Sequence, residues 1–162
     1  MKLIDTLGLA ALTARRLARA LDSHTMTFYS HFTSKTELLV AVADRACAEL
    51  SVEEASDWMD AVRGFATSYR AMGHKHPGAF PLAARRVLAT RTDAVEYLLA
   101  TLLAAGFAPG DAVALFRAVA SYCHGFVLEE LSSGVPAGST EAFDRGVDLL
   151  IAGFGSAHAS RG

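Results

Sequence analysis

Between Thr13 and Lys35 the chain gathers Arg15, Arg16, Arg19, His24, Tyr29, His31 and Lys35, interleaved with short hydroxyl side chains. That chemistry suits holding phosphates and base edges rather than breaking bonds. Residues 1–36 carry five basic side chains, Lys2, Arg15, Arg16, Arg19 and Lys35, against Asp5 and Asp22, while the chain as a whole is −2. The front is therefore +3 and the remaining body −5, a balance suited to touching a polyanion with one end. Elsewhere no nucleophile–base pair and no carboxylate pair stands at useful spacing, so no catalytic residue and no enzyme is expected. Cys47 and Cys123 are the only cysteines and fall inside helical patterns, as small core residues do. His74 and His76 flank a turn with Pro77, but two imidazoles with no third ligand in register imply no metal. No cofactor is expected.

The elements that must position these residues are all helical. Thr13 is a plausible N-cap for Ala14–Leu21, whose Leu17, Ala18 and Leu21 share a face with Leu12. Asp22, Ser23, His24 and Thr25 bond their own backbone and make a sharp turn. A second short helix then runs through Phe32, with Phe28 and Phe32 on one face and Met26, Tyr29 and Ser30 on another. Two such helices around a short turn form a helix-turn-helix. Ser34-Lys35-Thr36-Glu37 has the S-x-x-E form of a capping box, and it starts a helix over Lys35–Leu50. Val52–Ser56 reads as a linker.

Five further helices follow from apolar spacing and stop signals: Asp57–His74, ended by Gly73 and His76-Pro77-Gly78; Phe80–Leu88, with Pro81 in its first turn; Thr92–Ala105, ended by Gly106; Gly110–Ser133; and Thr140–Ala157. No alternating strand pattern occurs. The expected fold class is all-α, with a helix-turn-helix domain over residues 1–50 and a helical ligand-binding and dimerisation domain over 51–162.

The run LTARRLARALDSHTMTFYSHFTSKTELL, Leu12 to Leu39, resembles the DNA-binding domain of the TetR/AcrR family of bacterial repressors. Its marks are L-T-x-R-x-L-A, Tyr-x-His-Phe and x-S/N-K-x-x-L-L. The resemblance implies that Thr25, Met26, Thr27 and Ser30 face the major groove of a palindromic double-stranded DNA operator, with Arg15 reaching a base. It implies that Tyr29, His31 and Lys35 contact phosphate and that Thr13 meets the backbone. Two departures stand out. Asp22 replaces the glycine usual after the second helix, and only about two turns precede Gly8 where the family has a basic arm and a full first helix.

The body resembles the Tet repressor branch of that family, in Leu102-Leu103-x-x-Gly106-Phe107 and in Gly125-Phe126-Val127-Leu128-Glu129. The resemblance matches Glu129 to a glutamate that helps hold a metal-chelated drug, but the place of the metal-binding histidine falls near Ala83. The implied effector is instead another small, largely apolar molecule held between helices. Candidate lining residues are Trp58, Phe65, Tyr69, Phe80, Arg86, Tyr122, Phe126 and Glu129, although aromatic stripes at helical spacing equally build ordinary core. Phe116 and Phe143 read as core or interface, and His124 as a core or interface histidine. The last two helices are apolar on more than one side, which calls for a homodimer through a four-helix interface. No apolar run reaches bilayer length and no signal segment opens the chain, so no membrane partner and a cytoplasmic protein are expected. The alternative is a dimeric small-molecule-binding protein of the same fold that no longer reads DNA.

Overall fold

The computed structural model describes residues 34–89, 92–133 and 140–160. Those residues form six helices and no strand: α1 Lys35–Cys47, α2 Trp58–Lys75, α3 Phe80–Ala89, α4 Asp93–Ala104, α5 Pro109–Ser133 and α6 Thr140–Ala159. The helix-turn-helix elements expected before Ser34 lie outside the described residues.

Three of the helices start where a short polar side chain takes an orphan amide. Ser34 Oγ accepts from Glu37 N at 3.1 Å, as the capping-box spacing requires. Asp57 caps α2 by accepting from the amides of Met59 and Asp60 at 2.8 and 2.9 Å, so α2 begins one residue after the expected Asp57. Thr92 caps α4. At the other end of α4, Gly106 adopts a left-handed φ of 91°. The amide of Phe107 then returns to the carbonyl of Leu102 at 3.1 Å, the backbone reversal that glycine makes cheaply.

Two boundaries differ from expectation for identifiable reasons. α1 ends at Cys47 rather than Leu50 because Glu49 and Leu50 bond three residues back, tightening the last turn. Gly73 does not stop α2, which runs on to Lys75. It is a notch instead: a Cβ there would meet Val127 Cγ1 at 2.5 Å and the Phe80 ring at 3.0 Å.

α2 and α5 pack together at the centre, with α4 and α6 against both, while α3 joins α5 to α1. The core runs through Val62, Phe65, Tyr69, Phe80, Leu98, Leu102, Leu115, Val119, Cys123 and Val127. By length and composition α5 could cross a bilayer. Here it is instead a packed core helix, burying Ala112, Leu115, Phe116, Val119, Ala120, Cys123 and Val127. Cys47 and Cys123 are free and buried, as their helical spacing suggested.

Candidate functional site

A ladder of aromatic rings crosses the body from α5 through α2 to α3. Phe116 meets Phe65 at 5.8 Å between centroids, Phe65 meets Tyr69 at 5.9 Å, and Tyr69 stands at 90° to Phe80 at 5.8 Å. His124 closes it, edge-on to Phe80 at 5.8 Å. Phe65, Tyr69 and Phe80 have no exposed surface. Burial pushes the Tyr69 phenol above its ordinary pKa and lowers that of His124, so this layer favours an uncharged phenol and imidazole. Burial also raises the thiols of Cys47 and Cys123 to about 11 and about 12, which keeps them protonated. Cys47 donates to the carbonyl of Ala83 at 3.4 Å.

Charge is confined to the ladder's borders, in three clasps. On the α6 side, Glu130 is 7% exposed and accepts from Arg70 Nη2 and Nε at 2.5 and 3.0 Å, with His74 Nε2 at 2.8 Å. Arg70 also donates to Thr140 Oγ1 at 3.2 Å and lies 5.1 Å over the Phe143 ring. Its guanidinium holds the Glu130 carboxyl at about 2, well below the ordinary 4.5. On the α1 side, Glu49 takes Lys75 at 2.8 Å and His76 at 3.0 Å, which brings its carboxyl down to about 2. Asp44 takes Arg86 at 2.5 and 3.3 Å. The consecutive residues His74, Lys75 and His76, where α2 gives way to the turn before α3, therefore bind α5 on one side and the end of α1 on the other. Beneath α1, a cavity of about 320 Å³ is lined by Asp44, Cys47, Leu50, Arg86, Thr92 and Asp93.

The candidate ligand residues separate into groups. Phe65, Tyr69 and Phe80 come together in the ladder. Tyr122 and Phe126 form a second cluster with Phe143 between α5 and α6, their rings 5.7 and 5.2 Å from it. The Tyr122 hydroxyl reaches the carbonyls of Phe143 and Ala142 at 3.1 and 3.2 Å and lies against Gly146, where any Cβ would collide with it. Trp58 sits apart, edge-on to Phe107 at 4.9 Å, and His158 stacks on the same Phe107 ring at 4.2 Å. Arg86 faces α1 rather than the ladder. Glu129 lies on the exposed side of α5, and Glu130, one position on, turns inward.

Sequence reasoning missed Arg70 and Glu130, and weighed His74 only as a metal ligand and not as a partner of Glu130. The signal was present: Glu130 continues the buried spacing of Cys123 and Val127, and Arg70 and His74 stand one helical turn apart on α2. Of the DNA-facing candidates, Thr13, Arg15, Thr25, Met26, Thr27, Tyr29, Ser30 and His31 lie outside the described residues, and Lys35 opens α1. Among the described residues no group of three or more His, Cys, Asp or Glu side chains is placed to hold a metal.

Residues 62–150 match the family model for the tetracyclin repressor-like C-terminal domain, and residues 1–42 match that for bacterial regulatory proteins of the tetR family. An HTH-type transcriptional regulator from Saccharopolyspora erythraea is 34% identical over 134 residues, covering 80% of this chain. The chain spans 57% of that relative's length. Among solved structures, a TetR variant from Acinetobacter baumannii AYE in complex with minocycline superimposes with a TM-score of 0.83 at 32% identity, covering 97% of this chain and 92% of the other. BioQ with its natural double-stranded DNA operator gives a TM-score of 0.78 at 30% identity, covering 96% and 92%.

Proposed function

Because the chain belongs to the TetR family of bacterial regulatory proteins, we propose that it is a homodimeric transcriptional regulator, a repressor released from its DNA operator by a small, largely apolar effector. The observation that carries this reading is the attachment of α1. The helix leading from the N-terminal segment is tied to α2 and α3 by Glu49–Lys75–His76 and Asp44–Arg86. A shift of α3 or of the end of α2 therefore moves α1 with it. The minocycline complex of the Acinetobacter protein and the operator complex of BioQ support the two halves of the reading.

In this reading the chain divides at residue 50 into a reading head and an effector and dimer body. Thr25, Met26, Thr27 and Ser30 face the groove with Arg15, while Thr13, Tyr29, His31 and Lys35 hold phosphate. The dimer forms through α5 and α6. Their outward sides carry Ala114, Ser121, Gly125 and Leu128 on one helix and Leu149, Ala152 and Gly153 on the other, and Leu149 is 63% exposed. Small residues let helices approach closely, and exposed leucines gain by burial. Two heads held by one bundle read a palindrome.

Release is a population shift. An effector that binds better to the dimer with its heads displaced lowers operator affinity by that difference in affinity and no more. The protein acts in the cytoplasm, by binding rather than by catalysis.

Fluorescence anisotropy on DNA from the upstream intergenic region, against a scrambled duplex and across a salt series, tests this. Tight binding that is selective and falls steeply with salt is expected. Affinity equal to that for the scramble refutes it.

A further inference from the structure

The aromatic ladder contains one polar atom that no contact satisfies. Tyr69 has no exposed surface, and its hydroxyl lacks a hydrogen-bond partner within the described structure. A buried hydroxyl left unpaired is costly, and such groups in a packed core mark places where something else binds. Of the other polar groups bordering this layer, His124 is partly exposed and meets Phe80 edge-on, while Cys47, Arg70, His74 and Arg86 are engaged. Cys47 donates to Ala83, Arg70 and His74 hold Glu130, and Arg86 holds Asp44.

We propose that the Tyr69 hydroxyl is the polar anchor of the effector, and that the effector is a neutral, largely apolar molecule presenting one carbonyl or ether oxygen to it. This rests on the reading of the chain as an effector-released regulator and names the chemistry of that effector. The hydrogen of the phenol is the group left without an acceptor, so a ligand oxygen that accepts removes the penalty, whereas a ligand that only donates leaves it in place. Neutrality follows from the surroundings. Phe65, Phe80, two protonated thiols and the His124 imidazole, whose charged form burial disfavours, offer an anion no counter-charge, and burying an unpaired charge among them is prohibitive. Ala83, fully buried in this layer, offers a methyl group and cannot ligate a metal.

The location also explains release. Phe80 opens α3, directly after the His76-Pro77-Gly78 turn, and α3 packs on α1. A molecule accepted between Tyr69 and Phe80, whose rings stand 5.8 Å apart at 90°, has to separate them and so shift the start of α3. The displacement passes along α3 to Arg86 and Asp44.

The test compares the full chain with Tyr69→Phe, using acetophenone and ethylbenzene as probes of nearly equal shape that differ in a carbonyl. Dissociation constants are read from ¹⁹F spectra of fluorotyrosine-labelled protein, and melting temperatures are measured without probe. Tyr69→Phe is expected to weaken acetophenone by about tenfold while leaving ethylbenzene within about twofold, and to melt no lower than the parent. The inference is overturned if both probes change alike, if neither probe binds the parent, or if the variant melts lower, since the hydroxyl would then already have a partner. Operator anisotropy on the same samples separates the two readings. Operator release by both probes, equally in both proteins, keeps the regulator and discards the anchor. The carbonyl-specific loss without any operator binding keeps the anchor and discards the regulator.

Discussion

Around Tyr69 the body packs Phe65, Phe80, Val127 and Cys123 with no exposed surface and no ion pair. At the border with α1, by contrast, the buried apolar contact of Ala46, Cys47 and Leu50 is flanked by ion pairs: Asp44–Arg86, whose side chains are 45% and 37% exposed, and Glu49 with Lys75 and His76. The first region holds through area and shape alone, and the second adds ion pairs at its rim. Packed apolar contact is strong and resists any change of volume, whereas an exposed ion pair adds little stability. On the proposed function, the contrast would give stability to the ladder and the relay of movement to the border. If that division is right, substitutions in the ladder lower the melting temperature most, and substitutions at the border change effector response with little effect on melting.

The largest loss is expected for Phe80→Ala. It empties the meeting point of α2, α3 and α5, and costs about 3–5 kcal/mol by thermal or urea unfolding. A loss under about 1 kcal/mol would mean that the ladder is not the structural centre. Next comes the clasp that shares features of both regions. Glu130→Gln leaves the Arg70 guanidinium and His74 without their buried carboxylate, an expected cost of about 3 kcal/mol. The same group gives a pH signature. A carboxyl depressed to about 2 from 4.5 contributes stability that is fully present above 4.5 and is lost as pH falls through 2. The parent should therefore lose stability between pH 4.5 and pH 2 more steeply than Glu130→Gln, and parallel curves would contradict the clasp. Gly73→Ala follows, at about 1–3 kcal/mol, because its methyl must displace Val127 or Phe80.

That same contrast explains what could be read in the sequence. Helix positions were legible to within a few residues because caps and stops are local: Ser34, Asp57, Thr92 and Gly106 each act through their own backbone neighbours. The ladder was legible in part, since Phe65 and Tyr69 share one face of α2 and Phe80 sits on the element that packs against it. Gly73 was misread because a glycine that ends a helix and one that admits a neighbouring ring look identical in one dimension. Glu129 was carried over from a family motif, and the helical phase of α5 places its neighbour Glu130 inward instead, about 100° around the helix. Arg86, expected to line a pocket, lines the cavity beneath α1 and not the ladder, because its partner Asp44 lies on another helix 42 residues away. Pairings across such separations follow from tertiary packing and leave no periodic trace.

The smallest effect on stability is expected where the largest effect on response should appear. Arg86→Ala removes an ion pair that is substantially solvated on both sides, so melting should barely change. If the pair carries displacement of α3 into α1, operator affinity without effector should stay within a few-fold of the parent while the effector-induced loss of affinity shrinks. The double-mutant cycle with Asp44→Ala sharpens this. Coupling between the two positions should be small when read by melting and larger when read by the ratio of operator affinities with and without effector. Equal coupling in the two measurements would mean that the border contributes only adhesion. Movement would then have to reach α1 through the apolar contact of α3 alone, and the division of labour between the two regions would fail.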